Sequence, residues 1–163
     1  MKSRVQKGIV AGFAATVAVS VLEIANLIVG PWAVSFPRLL SVMLQSPNNM
    51  AVGWVAHIVV GTVVLGALFA ILCPRLPTDT AESKGILFAV GAFVVMGLTI
   101  APMAGVGMFF MKAGFGTLVW MIATHAVYGA VLGNVYGRLA GHGKEGHDLI
   151  YGNGHHRHGP YHA

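Results

Sequence analysis

An all-α integral membrane fold is predicted by three observations. Of 163 residues, 56% are hydrophobic and only 9% are charged, whereas a water-soluble domain carries about 25% charged residues. Mean hydropathy is +0.74. Four apolar stretches are each long enough to cross a hydrocarbon layer of about 30 Å, which takes roughly 20 helical residues. Intrinsic disorder is excluded as well, because it needs low hydrophobicity and high charge. The expected architecture is a four-helix bundle over residues 1–138, followed by a polar tail over 139–163.

The first span is placed at 8–30. It follows the basic stretch Met1–Lys7, so it imitates a signal peptide. Its apolar run is too long for one and has no convincing A-x-A cleavage site before Pro31, so an uncleaved anchor helix is expected. The second span is placed at 51–73, the third at 85–108 and the fourth at 117–136. Pro102 is expected to kink the third, because proline removes one backbone donor and crowds the preceding turn. Between the first two spans, Phe36-Pro-Arg-Leu-Leu-Ser-Val-Met-Leu44 has apolar residues at helical spacing. It reads equally as a short amphipathic helix at the membrane interface and as a loop packed over the helices.

The sparse charges set topology. Lys2, Arg4, Lys7, Arg75, Lys84, Arg138, Lys144 and Arg157 fall on one side, and only Arg38 and Lys112 on the other. By the positive-inside rule both termini are expected in the cytoplasm, and Trp32, Trp54 and Trp120 lie toward the outer face. The net charge of +5 is therefore a topology signature. No basic stripe with interleaved aromatics suggests a nucleic-acid partner. The partners expected are the lipid bilayer and further copies of the chain or a larger membrane complex. The single Cys73 rules out an internal disulfide and any CxxC pair.

The two halves resemble each other. Lys7-Gly8-Ile9 opens the first span and Lys84-Gly85-Ile86 the third; His57-x-x-x-Gly61 lies in the second and His125-x-x-x-Gly129 in the fourth. Two repeated helical hairpins would be parallel repeats about an axis along the membrane normal. Gly53-Trp54-Val55-Ala56-His57 and the run from His125 through Tyr128-Gly129 to Tyr136-Gly137-Arg138 also resemble a family of small bacterial inner-membrane proteins with four transmembrane helices. The resemblance covers residues 5–139. It implies a location and a fold and lends no activity.

Glycine is abundant, 22 residues in all. Gly8 and Gly12, then Gly53, His57 and Gly61, then His125, Gly129, Gly133 and Gly137 are each four apart. Such rows stack on one helix face and commonly mediate close helix contact in lipid.

One candidate site emerges. Glu23 is the only carboxylate inside a span, and His57 and His125 are the only histidines there. At about 1.5 Å of rise per residue, Glu23 lies roughly 8 Å below the outer surface, His57 about 9 Å and His125 about 12 Å. Buried ionisable groups at one depth tend to face inward and pair. Thr16, Ser20 and Asn26 share the face of Glu23, and Thr124 and Tyr128 flank His125. In one reading Glu23 binds a histidine and locks helix register. In a second, His57 and His125 are axial ligands of a haem b, with Gly61 and Gly129 admitting the flat macrocycle. In a third, Glu23, His57 and His125 hold a zinc or iron ion, or Met103, Met108 and Met121 favour copper. In a fourth, the acid and the histidines relay protons or bind a quinone or small solute, as in a small transporter.

G-x-S-x-G, HExxH, P-loop and G-x-G-x-x-G signatures are absent, so no enzyme is expected. A non-enzymatic inner-membrane subunit is, with haem b its sharpest cofactor assignment. The tail carries His142, His147, His155, His156, His158 and His162. Short His-rich tracts often bind zinc, nickel or copper, and His155, His156, His158 and His162 supply the imidazoles here.

Overall fold

The computed structural model describes residues 3–30 and 32–141 and is all-helical. Four helices are long and apolar enough to cross a membrane: α1 (Arg4–Val29), α3 (Met50–Arg75), α4 (Ala81–Met103) and α5 (Phe115–Ala140). A short helix α2 (Phe36–Met43) lies between the first two. Apolar side chains point outward, including Phe13, Val21, Ile28, Val55, Val95 and Ile122, as suits helices apolar enough to cross a membrane. The tail histidines, and Lys144 and Arg157 with them, lie outside the described residues.

Helix α1 starts at a capping box. Gln6 N–H donates to Ser3 Oγ at 3.2 Å and Ser3 N–H to Gln6 Oε1 at 2.8 Å, which satisfies two orphan donors of the first turn. Thr80 and Ser83 do the same for α4. Helix α5 runs to Ala140, so the fourth span extends into the stretch assigned to the tail.

The buried stripe of α1 is Gly8, Ala11, Gly12, Ala15, Thr16, Val19, Glu23 and Asn26. Its spacing of three and four keeps one face inward. That face packs on α3 and α5, and α4 packs along α5. Helices α3 and α4 meet near Cys73–Arg75 and through the Phe69 and Phe88 rings. A core of Phe69, Phe88 and Tyr136, edge to face at 5.4 and 5.2 Å, joins α3, α4 and α5 toward that end. A second core of Leu39, Met96, Ala101, Phe110 and Met121 closes the opposite end.

Glycine makes the close approaches. A Cβ on Gly12 would sit 2.7 Å from the Thr62 carbonyl oxygen of α3, and one on Gly129 would sit 2.7 Å from both the Ala89 Cβ and the Gly85 oxygen of α4. A methyl group at either place would push two backbones apart, and dense van der Waals contact is what holds helices together in lipid.

Residues Val60–Leu65 of α3 form a π-helical turn. Gly61 and Gly66, five apart, both face α1, where added side chains would meet Thr16 and Gly8. Five-residue spacing is out of register with an α-helix, whose like faces recur at three or four, and the wider turn restores it. Such bulges are frequent at functional sites. The Tyr128 hydroxyl donates to the Gly61 carbonyl oxygen at 2.6 Å.

Helix α2 combines both readings of its segment. It is a helix, and it packs over α3 with Leu39 and Leu40 buried. In α4 the kink falls at Thr99 (φ −117°, ψ −69°), three residues before Pro102. Proline at 102 costs the bond to the Leu98 carbonyl, and the Thr99 hydroxyl donates back to the Val95 carbonyl at 2.7 Å. The helix ends at Met103 rather than Met108, because Gly105 and Gly107 turn the chain with φ of +80° and +74°. Phe109 and Phe110 follow at φ of 48° and 64°, left-handed values that cost roughly 1–2 kcal/mol per non-glycine residue. Burial of Phe110 and packing of the Phe109 ring over Gly97 hold them there.

Lys84, counted above as a topology charge, is buried. Its Nζ donates to the Cys73 carbonyl at 3.1 Å. A cation there complements the C-terminal end of α3.

Candidate functional site

Beside the Phe69–Phe88 contact, α3 and α4 leave a cleft of about 420 Å³ between them. Its walls are aliphatic, with Leu65, Leu68 and Leu72 on α3 and Leu87, Ala92 and Val95 on α4. Thr124, His125 and Tyr128 of α5 and Val19 of α1 form its back. His57 lies at the α2 end and Leu76 at the other, roughly 28 Å away by helical rise. Polar side chains are gathered toward the His57 end, and the far end is aliphatic.

The structure brings His57 and His125 to this one cleft. His57 is buried, with Phe36 and Trp54 each edge-on at 5.7 Å. Its Nε2 shares a hydrogen bond with Ser20 Oγ at 3.1 Å, and its Nδ1 has no partner. His125 is half-buried against Phe93 at 5.5 Å. Its Nδ1 meets the Met121 carbonyl oxygen at 2.7 Å. A carbonyl only accepts, so Nδ1 carries the hydrogen and Nε2 is left as a bare lone pair in the neutral ring.

Glu23 does not join them, and the three-ligand ion site expected from its depth is corrected here. Its carboxyl is fully buried, and Glu23 is not among the residues that line the cleft. Oε1 accepts from Trp120 Nε1–H at 3.2 Å, and the Phe36 amide at the start of α2 lies against the group. Oε2 and the neighbouring Asn26 Oδ1 have no partner. Among the described residues no group of three histidines, cysteines or carboxylates is placed to hold a metal ion. The methionines do not converge either: Met121 is in the core, whereas Met103 and Met108 point outward.

The expected glycine doors divide. Gly61 lines the cleft. Gly129 does not, because Gly85, Ile86 and Ala89 of α4 fill the space beside it. The π turn and the Tyr128 contact were not read from the sequence. The five-residue interval from Gly61 to Gly66, opposite the four-residue interval from Gly8 to Gly12, is the signal that points to them.

No curated protein and no solved structure matches the chain. Residues 2–147 match a family described as one of unknown function, DUF6789, and the chain belongs to that family.

Proposed function

We propose that this is a non-enzymatic membrane protein that holds one elongated, apolar ligand in the cleft between α3 and α4. The observation that carries the reading is that His57 and His125, the two histidines of the spans, share this cleft. Pockets of this size, apolar with a few convergent polar groups, are the usual form of a small-molecule site. The opening lies between two membrane-spanning helices, so a ligand would enter sideways from lipid.

Native mass spectrometry tests this. Wild type is expected to retain one apolar ligand per chain through detergent exchange. Gly91→Trp, which places an indole in open space on the cleft wall, is expected to lose it while remaining folded. Equal adducts on both proteins, or none on either, would overturn the reading.

Haem b is the second reading, favoured by the state of His125. A ligating histidine usually donates its other ring N–H to a carbonyl or carboxylate, and His125 does so to Met121. His57 would have to release Ser20 or coordinate through Nδ1. A retained mass equal to haem b, lost in His125→Ala, would move the assignment to this reading.

The location proposed is a bacterial inner membrane, with both termini cytoplasmic, supported by the asymmetry of Lys and Arg. Asn48→Cys should then react with an impermeant thiol reagent from outside the cell, and Asp79→Cys only after permeabilisation; the reverse would invert the topology. The native Cys73 is buried and gives little background. We also read the four long helices as a bundle of two repeated hairpins. Supporting this, Gly8 and Gly12 of α1 meet Gly61–Gly66 of α3 much as Gly85 and Ala89 of α4 meet Gly129–Gly133 of α5.

A further inference from the structure

The hydrogen-bonding inventory of the cleft is one-sided. Thr124, Tyr128 and His125 each bring a hydroxyl or ring N–H donor to its wall, and each is already committed to a backbone carbonyl. The Thr124 hydroxyl lies 3.0 Å from the Trp120 oxygen and 3.1 Å from the Met121 oxygen. The Tyr128 hydroxyl donates to Gly61, and His125 Nδ1–H donates to Met121. Spent hydroxyls keep acceptor lone pairs, and the neutral His125 ring keeps the Nε2 lone pair. His57 shares its Nε2 with Ser20, and its Nδ1 is buried away from the cleft surface, so it offers a ligand neither donor nor acceptor. The polar end of the cleft therefore presents acceptors at Thr124, Tyr128 and His125 in aliphatic surroundings.

Such a surface discriminates. A ligand that brings only acceptors, such as an ester or a ketone, would set lone pair against lone pair and leave both desolvated, a costly arrangement in an apolar site. A ligand that brings a donor satisfies the site. The shape adds a second constraint, because beyond the polar end the walls are Leu65, Leu68, Leu72, Leu76 and Leu87. We infer that the cleft selects a hydroxyl-headed lipid, a long-chain or isoprenoid alcohol or phenol, with its O–H on His125 Nε2 and its chain along the leucines of α3. This rests on the cleft being a ligand site, as proposed above.

The test compares two probes that differ only in the donor, farnesol and farnesyl methyl ether, bound to the full-length protein in detergent and read by tryptophan fluorescence. Wild type is expected to bind the alcohol at least tenfold more tightly than the ether. His125→Phe keeps a flat ring and removes the acceptor, and there the two probes are expected to bind within about twofold of each other. Equal binding of both probes to wild type would overturn the hydroxyl selection and leave the apolar cleft standing. Binding of neither would overturn both. Because the first comparison is made on wild type alone, a folding defect in His125→Phe does not obscure it.

Discussion

Gly129→Val is expected to destabilise the protein by about 3 kcal/mol or more, the upper end of the usual cost of overpacking. The measurement is the thermal or denaturant midpoint of the detergent-solubilised protein. The cause is local: the Cβ alone would come within 2.7 Å of the Gly85 carbonyl oxygen and the Ala89 Cβ, and neither can swing aside as the end of a flexible chain can. Helices α4 and α5 would have to separate along their whole contact. The control is Gly91→Ala, with nothing within 4 Å of the added carbon. There the loss of glycine from a helix should stabilise by roughly 0.5–1 kcal/mol. If both substitutions shift the midpoint equally, close glycine packing is not what joins these helices.

Trp120→Phe is expected to cost about 3 kcal/mol, more than its change in ring size accounts for. Trp120 Nε1–H is the side-chain donor to a fully buried Glu23 carboxyl whose other oxygen has no partner. Removing it leaves a desolvated carboxyl with only the Phe36 amide against it, and losing a partner in a buried site is the expensive half of breaking a hydrogen bond. Glu23→Leu in the same chain removes the carboxyl. The double variant should recover most of the loss, giving a coupling energy well above the 0.3–0.5 kcal/mol within which independent sites usually add. Simple additivity would show that the pair does not interact in the folded protein.

These expectations separate what was legible in the sequence from what was not. Four apolar helices follow from hydropathy and length, because lipid leaves few alternatives for a backbone that must satisfy itself. Position along the helices singled out Glu23, His57 and His125. That position is only one coordinate. Which way a side chain points about its helix axis depends on how neighbouring helices cross, and there the expectation failed. Ser20, placed above as a neighbour of Glu23, is the residue that reaches His57. Glu23 turns instead to Trp120, a residue read only as a marker of the membrane interface. Lys84 was read as a charge at a membrane edge, yet it is tucked under the end of α3. The glycine row of α5 was legible as a close contact, but not which helix would fill it. With α4 against Gly129 and Gly133, the open space shifted to the gap between α3 and α4, which no spacing within a single helix reports.

The most direct test of the cleft is a photolabelling map. A diazirine-bearing long-chain alcohol would be added to the protein in detergent and irradiated, and the modified residues located by peptide mass spectrometry. The cleft reading predicts labels concentrated on Leu65, Leu68, Leu87 and Val95, which face one another across the gap, and their loss in Gly91→Trp. Labels spread evenly over Phe13, Val21, Val55 and Ile122, the outward faces of the other helix surfaces, and unchanged by that substitution, would contradict it.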